Sequence, residues 1–322
     1  MTWMTAWFAK SAQHTHLEFI PDPGAQPLVP REGYLRAWLA EGFLRQRTSW
    51  AHDQYPALHG GVTLDFLGRR EPVAFTAVTT PSWSTPGVHL DHPITPLLPY
   101  NGGIVRLEAA LFQVSQQGPL GAAVQVLGKL AGLMGPPLSA AATLASKMSD
   151  GLDAVLEATG DQPVLGLHWS MVAPGGNGQH VLPGHLVILD APQPPGALTI
   201  EGGRLRAGGQ PVELDYLVVR VECRAERDDP LTPELHDLVQ RAKEHALLGN
   251  LDSMADLRRQ AIILAWNSKD LVPADGRRVA EMLAREIDQA RLGAAPGAEP
   301  PMRPLRRDDP ELKGLRLADL LR

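Results

Sequence analysis

The alternation of apolar and polar side chains predicts a series of β-strands in this chain. In residues 104–114, Val105 and Leu107 alternate with Arg106 and Glu108, so one face of the strand is apolar and the other is polar. Further strands are predicted over residues 61–67, 73–78, 164–172, 185–190 and 214–224.

Glycine pairs mark tight turns between short strands in residues 197–222. Positive φ angles cost glycine little, so Gly202-Gly203 and Gly208-Gly209 fit hairpin turns. In total the chain shows about eight short strands with such turns, and it lacks a regular alternation of strand and helix. We therefore predict an α+β protein with a β-sandwich-like or strongly twisted mixed sheet, an inserted helical hairpin and a C-terminal helical region.

Apolar residues at helical spacing predict helices outside the sheet. An amphipathic helix docked on the body is predicted over residues 31–47, with the apolar stripe Leu35, Trp38, Leu39, Phe43 and Leu44. Farther along, Thr232 before Pro233 predicts a helix start, and Gly249-Asn250 predicts its end. Two more helices are predicted from Asp252 to Trp266 and from Asp275 to Leu292.

Shifts in composition divide the chain into four segments. They are an irregular N-terminal arm at 1–30, a β-rich body at 31–229 with a helical hairpin inserted at 119–158, a C-terminal helical region at 230–293, and a flexible linker with a short terminal helix at 294–322. The terminal helix would place Leu312, Leu315 and Leu320 on one side, as in helices that bind in the groove of a partner. The alternative is a helix that folds back on its own domain.

The hairpin predicted at 119–158 consists of two helices rich in small residues. No charged residue lies between Lys129 and Lys147, so this surface needs a covering. Gly121, Gly128 and Gly132 line a face on which another backbone could approach closely, and we take them as partner-binding candidates. The first alternative for the covering is the protein's own sheet, and the second is a partner or another copy of the chain.

A membrane is the third alternative for the hairpin, and the sequence disfavours it. Gly135-Pro136-Pro137 breaks the uncharged window, which is shorter than the roughly 20 apolar residues that span a bilayer. The polar face also lacks the basic residues typical of helices that lie on a membrane surface. We therefore expect no stable membrane span.

Composition and charge narrow the class of protein. A net charge of −6 and a pI near 6.0 argue against nucleic-acid binding, which needs a basic surface. The single cysteine, Cys223, excludes an internal disulfide, and the N-terminus lacks the basic and apolar regions of a signal peptide. These features predict a cytoplasmic protein, and the excess of arginine over lysine favours a bacterial source.

Candidate chemistry is sparse in this sequence. His89, Asp91 and His92 offer ligand groups within four residues, but a metal site needs three or four ligands that converge, so a polar loop before Pro93 is the favoured interpretation. His180 and His185 would have to complete such a site. Motifs for a serine nucleophile or for phosphate binding are absent from the sequence.

Two further sets of residues carry groups that can take part in catalysis, but we interpret both as structural. Acidic residues around the last strand, from Asp215 and Glu222 to Asp229, are interpreted as a solvated strand face and helix-capping acids. Cys223 is interpreted as a small buried hydrophobe because it alternates with Val219 and Val221. We identify no catalytic residue, cofactor or small-molecule ligand.

The favoured function is a non-enzymatic, intracellular protein-binding subunit, such as an adaptor, a scaffold or a structural component of a bacterial complex. Its partner would be another protein or a second copy of the chain. One alternative is a hydrolase-type or metal-dependent enzyme whose site is assembled from scattered His, Asp and Glu residues. A second alternative is a membrane-acting effector that uses the hairpin.

Overall fold

The computed structural model divides the chain into two compact units. It describes residues 14–44, 54–66, 69–78, 89–115, 163–227, 231–291 and 309–321. The first unit, called the sheet unit below, comprises residues 1–30 and 35–224. The second, called the helical unit, comprises residues 31–34 and 225–322.

Strands dominate the sheet unit. They are β1 (His16–Pro21), β2 (Gly33–Phe43), β3 (Gln54–Phe66), β4 (Arg69–Val78), β5 (His89–Pro93), β6 (Leu98–Tyr100), β7 (Ile104–Ser115), β8 (Pro163–Val172), β9 (Gly184–Leu189), β10 (Leu198–Glu201), β11 (Arg204–Ala207), β12 (Gln210–Pro211) and β13 (Tyr216–Arg224). The largest sheet has the order β1-β9-β13-β2-β5, and β6 also pairs with β2. A four-stranded antiparallel sheet has the order β4-β3-β7-β8, and β10-β11-β12 form a small antiparallel meander.

One hydrophobic cluster joins the two larger sheets. Leu35 and Leu39 of β2 and Leu217 of β13 lie in the same cluster as Leu107 of β7 and Leu167 of β8. All five side chains are buried. Two sheets that bury their inner faces in a common core form a sandwich-like body. Antiparallel sheets in one unit and helices in the other confirm the predicted α+β class.

A second cluster covers part of the opposite face of the largest sheet. Val187 of β9 and Val218 of β13 alternate along their strands with residues of the first cluster. They pack with Leu198 and Leu205 of the small meander. The central strands of the largest sheet are therefore apolar on both faces where the meander covers them.

The prediction of an amphipathic helix over residues 31–47 is wrong, because residues 33–43 form strand β2. This strand lies between β13 and β5, and its pairing with β5 shifts register between Leu39 and Glu41. Leu39 faces the first cluster, whereas Ala40 and Phe43 face the second. Burial on both faces in the second half of β2, together with the irregularity, interrupts the period of two, and the apolar spacing then resembles that of a helix.

The prediction of an irregular arm at residues 1–30 is also wrong for part of its length. Residues 16–21 form β1, an edge strand that pairs with β9 in antiparallel register from His16 opposite Leu189 to Pro21 opposite Gly184. The prediction of an irregular arm rests on four prolines at positions 21, 23, 27 and 30, which favour turns and loops. A proline at the end of an edge strand is compatible with pairing, so Pro21 does not exclude a strand.

Five helices lie in the described part of the helical unit. They are α1 (Pro233–Leu247), α2 (Leu251–Trp266), α3 (Pro273–Arg291), α4 (Pro310–Gly314) and α5 (Leu317–Leu320). Thr232 caps α1 by accepting a hydrogen bond from the Leu235 amide, and Gly249 with a φ of 74° follows its end, so both predicted signals are confirmed. The predicted helices at 252–266 and 275–292 are confirmed by α2 and α3.

A buried carboxylate links Tyr34 to α3 within the helical unit. Asp275 is 0 % exposed and accepts a hydrogen bond from the Tyr34 hydroxyl at 2.5 Å. The same hydroxyl accepts from the Val272 amide at 3.1 Å, and Arg278 lies 3.3 Å from the other carboxylate oxygen of Asp275. Each of these polar groups is therefore satisfied, as burial requires.

The predicted helical hairpin at 119–158 lies outside the described residues. The strands before and after it, β7 and β8, are antiparallel neighbours with Arg106 opposite Ser170. The segment from 116 to 162 therefore connects two adjacent strands of the four-stranded sheet.

Candidate functional site

Three exposed leucines at the connection between α1 and α2 form the candidate site, which we call the leucine turn. Leu247, Leu248 and Leu251 are 78 %, 74 % and 51 % exposed. They lie within five consecutive residues of the helical unit. Single exposed apolar side chains are ordinary, but a group of them is typical of an interaction surface.

The helical spacing explains why these leucines remain outside the core. The buried face of α1 is formed by Leu235, Leu238, Val239 and Ala242. The buried face of α2 is formed by Met254, Leu257, Ala261, Ile262 and Ala265. Leu247 and Leu248 lie past the last buried residue of α1, and Leu251 precedes the first of α2, so the core gives them no place to pack.

Backbone hydrogen bonds fix the conformation of the leucine turn. The Leu248 amide donates to the Glu244 carbonyl at 3.0 Å, and the Asn250 amide donates to the His245 carbonyl at 2.9 Å. The Met254 amide donates to the Asn250 carbonyl, which joins the turn to α2. An ordered turn loses little conformational entropy when a partner binds, so the leucines are presented in advance.

Acidic side chains lie beside the leucines. Glu244 in the last turn of α1 and Asp252 in the first turn of α2 are exposed. The surface therefore has an apolar centre with negative charge at its margin, which resembles the apolar core and polar rim of protein interfaces.

The predicted partner-binding leucines near the C-terminus lie in the core of the helical unit. Leu312 and Leu320 are 3 % and 8 % exposed; Leu320 belongs to the hydrophobic cluster of the helical unit, and Leu315 packs against that cluster. Arg258 of α2 holds this segment by donating to the Leu320 carbonyl at 2.7 Å while it makes paired hydrogen bonds to Asp288. This corrects the expectation of a free interaction helix in favour of the fold-back alternative. The other partner-binding candidates, Gly121, Gly128 and Gly132, lie outside the described residues.

The candidate metal ligands lie on different strands of the largest sheet: His89, Asp91 and His92 belong to β5 and His185 to β9, and β2 and β13 lie between these strands. Within the described residues, no group of three or more His, Cys, Asp or Glu side chains is placed to hold a metal ion. His89 and His92 pair along β5 with Glu41 and Leu39 of β2, and Asp91 between them is exposed with a φ of 40°.

The other two candidate ligands, His180 and His185, have partners in their own neighbourhoods. The Nε2 atom of His180 lies 3.2 Å from the Gly176 carbonyl, and Nδ1 of His185 lies 3.2 Å from Asp22. Burial is the largest influence on His185 and holds its pKa below the ordinary value, although Asp22 and Asp91 act in the opposite direction.

Two groups near the end of β13 have shifted pKa values with structural causes. Burial raises the pKa of the Cys223 thiol to about 12, and Glu222 and Asp22 add to the increase. For Glu222, burial opposes ionisation, but the hydrogen bonds from Arg36 and Trp38 outweigh it and hold the pKa below its ordinary value. Neither group resembles an activated nucleophile or a general acid, since those need pKa values shifted toward neutrality.

Sequence reasoning missed the leucine turn. In the sequence, the stretch Ala246-Leu247-Leu248-Gly249-Asn250-Leu251 predicts only the end of a helix. The available signal was three leucines around a glycine stop, at positions that the buried faces of the neighbouring helices do not include.

Comparisons with known proteins add no relative. No family model, curated protein or solved structure gives a significant match to this chain. Among the helices in the described residues, none has the combination of length and apolar character that crossing a bilayer requires.

Proposed function

We propose that the protein is a non-enzymatic binding subunit whose leucine turn docks onto another protein. The observation that carries the proposal is the exposure of Leu247, Leu248 and Leu251 on a turn that is fixed by its own backbone. Burying a leucine side chain contributes roughly 1.5–3 kcal/mol, so three of them could supply much of a specific interaction.

The proposed partner has an apolar groove with basic residues beside it. The apolar part would receive the leucines, and the basic residues would face Glu244 and Asp252. A second copy of this chain and an unrelated protein are the two kinds of partner that this chemistry allows. The proposed location is the cytoplasm, which is supported by the presence of a single cysteine in the sequence.

The test replaces the three leucines with serine and compares self-association and partner binding with the wild-type protein. The matched control is Ile263→Ser, because Ile263 is 42 % exposed on α2 and lies outside the leucine turn. Sedimentation velocity over a range of concentrations measures self-association, and affinity capture with quantitative mass spectrometry measures other partners.

The proposal expects the triple variant to lose an association that the Ile263→Ser variant keeps. Thermal unfolding should be unchanged in both variants, since exposed side chains contribute little to stability. A wild-type protein that stays monomeric and has no partner sensitive to the triple substitution would contradict the proposed function.

A further inference from the structure

Two arginines stack on one tryptophan on the face of the largest sheet. Arg36 and Trp38 lie on β2, and Arg220 lies on the neighbouring strand β13. The guanidinium carbons of Arg36 and Arg220 are 4.5 Å and 4.8 Å from the centroid of the Trp38 ring. Stacking of this kind holds a planar guanidinium in a fixed orientation.

The two arginines differ in charge compensation. Glu222 accepts hydrogen bonds from Nε of Arg36 at 2.9 Å and from Nε1 of Trp38 at 2.6 Å, so Arg36 has a carboxylate partner. Arg224 also lies 3.9 Å from Glu222. Arg220, in contrast, makes no ion pair within the described part of the chain, and its Nε atom is buried there without an acceptor.

The surroundings of Arg220 suit an added acceptor. Arg220 lies opposite His185 in the register of β13 with β9, and Asp22 is already hydrogen-bonded to His185. A buried donor without an acceptor destabilises the protein, and an incoming oxygen that accepts its hydrogen bond would remove that cost. Arg36, Trp38, Arg220 and Glu222 are each only partly buried, so solvent reaches the cluster.

We propose that Arg220 is a binding site for a carboxylate, which would accept hydrogen bonds from the edge of the guanidinium while the face of the guanidinium stacks on Trp38. The fit follows from shape and charge, because a guanidinium matches a planar carboxylate with two parallel hydrogen bonds. Glu222 lies beside the site and disfavours a dianion such as phosphate. The carboxylate could belong to a small organic acid or to an acidic peptide. This inference concerns the sheet unit and is independent of the leucine turn.

The experiment is a titration followed by NMR of the Trp38 indole N–H and the Arg220 Nε–H. The sequence has seven tryptophans, so a Trp38→Phe variant assigns the indole signal. Sodium acetate, sodium phosphate and a glutamate-containing peptide are added in parallel at constant ionic strength. The expected result is saturable binding of acetate and of the peptide that exceeds binding of phosphate.

Variants separate this site from general electrostatics. Arg220→Gln should weaken acetate binding about tenfold or more, and Arg220→Lys should weaken it less because it retains the charge. Arg206→Gln is the matched control, since Arg206 also has a buried Nε without an acceptor but no tryptophan stacked on it within the described residues. It should bind acetate like the wild type.

Each outcome decides the proposal. Tighter binding of the peptide than of acetate would identify a protein source, and equal binding would identify a small acid; both support the site. Absence of saturable binding, equal loss in Arg206→Gln and Arg220→Gln, or preference for phosphate would overturn it. Thermal unfolding of each variant without ligand verifies that the fold is retained, and Arg220→Lys keeps the test valid if Arg220→Gln does not fold.

Discussion

Replacing Glu41 with leucine should destabilise the sheet unit more than any exposed substitution. Glu41 is 0 % exposed, and its carboxylate accepts hydrogen bonds from the Tyr216 hydroxyl and, at 2.7 Å, from the Leu205 amide. The leucine removes the acceptor of both donors while it keeps a similar volume. Each donor that loses its acceptor costs about 1–3 kcal/mol, so the free energy of unfolding should fall by roughly 2–6 kcal/mol.

A double-mutant cycle isolates the bond between Glu41 and Tyr216. Tyr216→Phe removes one hydrogen bond to a charged acceptor, with an expected loss of about 1.5–3 kcal/mol. The double variant should lose less unfolding free energy than the two single variants lose together, because neither member of the pair then keeps a polar group that has lost the other as its hydrogen-bond partner. Tyr100→Phe is the matched control, since the buried Tyr100 donates only to a neutral carbonyl, that of Gly103, at 3.2 Å.

Urea unfolding followed by the β-sheet signal in circular dichroism measures these free energies. The reasoning predicts a coupling energy between Glu41 and Tyr216 that clearly exceeds the roughly 0.5 kcal/mol expected of independent sites. A coupling below that value, or a Glu41→Leu variant as stable as the wild type, would refute it.

Three further predictions follow from the same structure. Leu320→Ala should lower the stability of the helical unit by roughly 2–5 kcal/mol, whereas Leu251→Ala should change it by less than about 0.5 kcal/mol; equal effects in urea unfolding would contradict the burial of the C-terminal segment. Cys223 should react slowly with thiol reagents at neutral pH, because burial raises its pKa to about 12; the rate of a free thiol in a stopped-flow assay would be inconsistent with this. Because the folded pKa of Glu222 lies below its ordinary value of 4.5, its contribution to stability is present above 4.5 and is lost as the pH falls through the folded pKa. Arg36→Gln should reduce this acid-dependent loss, and acid unfolding identical to the wild type would argue against the hydrogen bond.

Local signals in the sequence were sufficient for the helices of the helical unit. Thr232 and Pro233 start α1, and Gly249 follows its end in the left-handed conformation that glycine tolerates. Such caps act within a few residues, so they can be read without knowledge of the tertiary structure. The alternation in the sequence likewise predicted β7 and the second half of β13, where Arg220 and Glu222 alternate with the buried Val219 and Val221.

Strand β2 could not be recognised because its pattern depends on long-range packing. From Leu39 to Phe43 both faces of β2 are buried, and the register shift between Leu39 and Glu41 breaks its alternation. The partner of Glu41 lies 175 residues away in the sequence, at Tyr216. No local rule distinguishes such a strand from an amphipathic helix.

The two candidate sites could not be predicted from the sequence either, because both depend on tertiary packing. The leucine turn is defined by what the neighbouring helices do not bury, and the stack on Trp38 joins residues of β2 and β13. Conversely, the sequence predicts an apolar stripe that includes Leu312 and Leu320, but both side chains are buried, and Leu320 belongs to the core of the helical unit. An apolar stripe indicates that a surface is covered, and the tertiary structure decides by what.

Site-specific photocrosslinking tests the central claim most directly. A photoreactive amino acid is placed at position 248 in one variant and at position 263 in another, and both are irradiated in cells. Leu248 lies in the leucine turn, whereas Ile263 is exposed elsewhere on α2. The proposal predicts a discrete protein adduct, either with a second copy or with another protein, from position 248 and not from 263. The same adducts from both positions, or none from position 248, would contradict it.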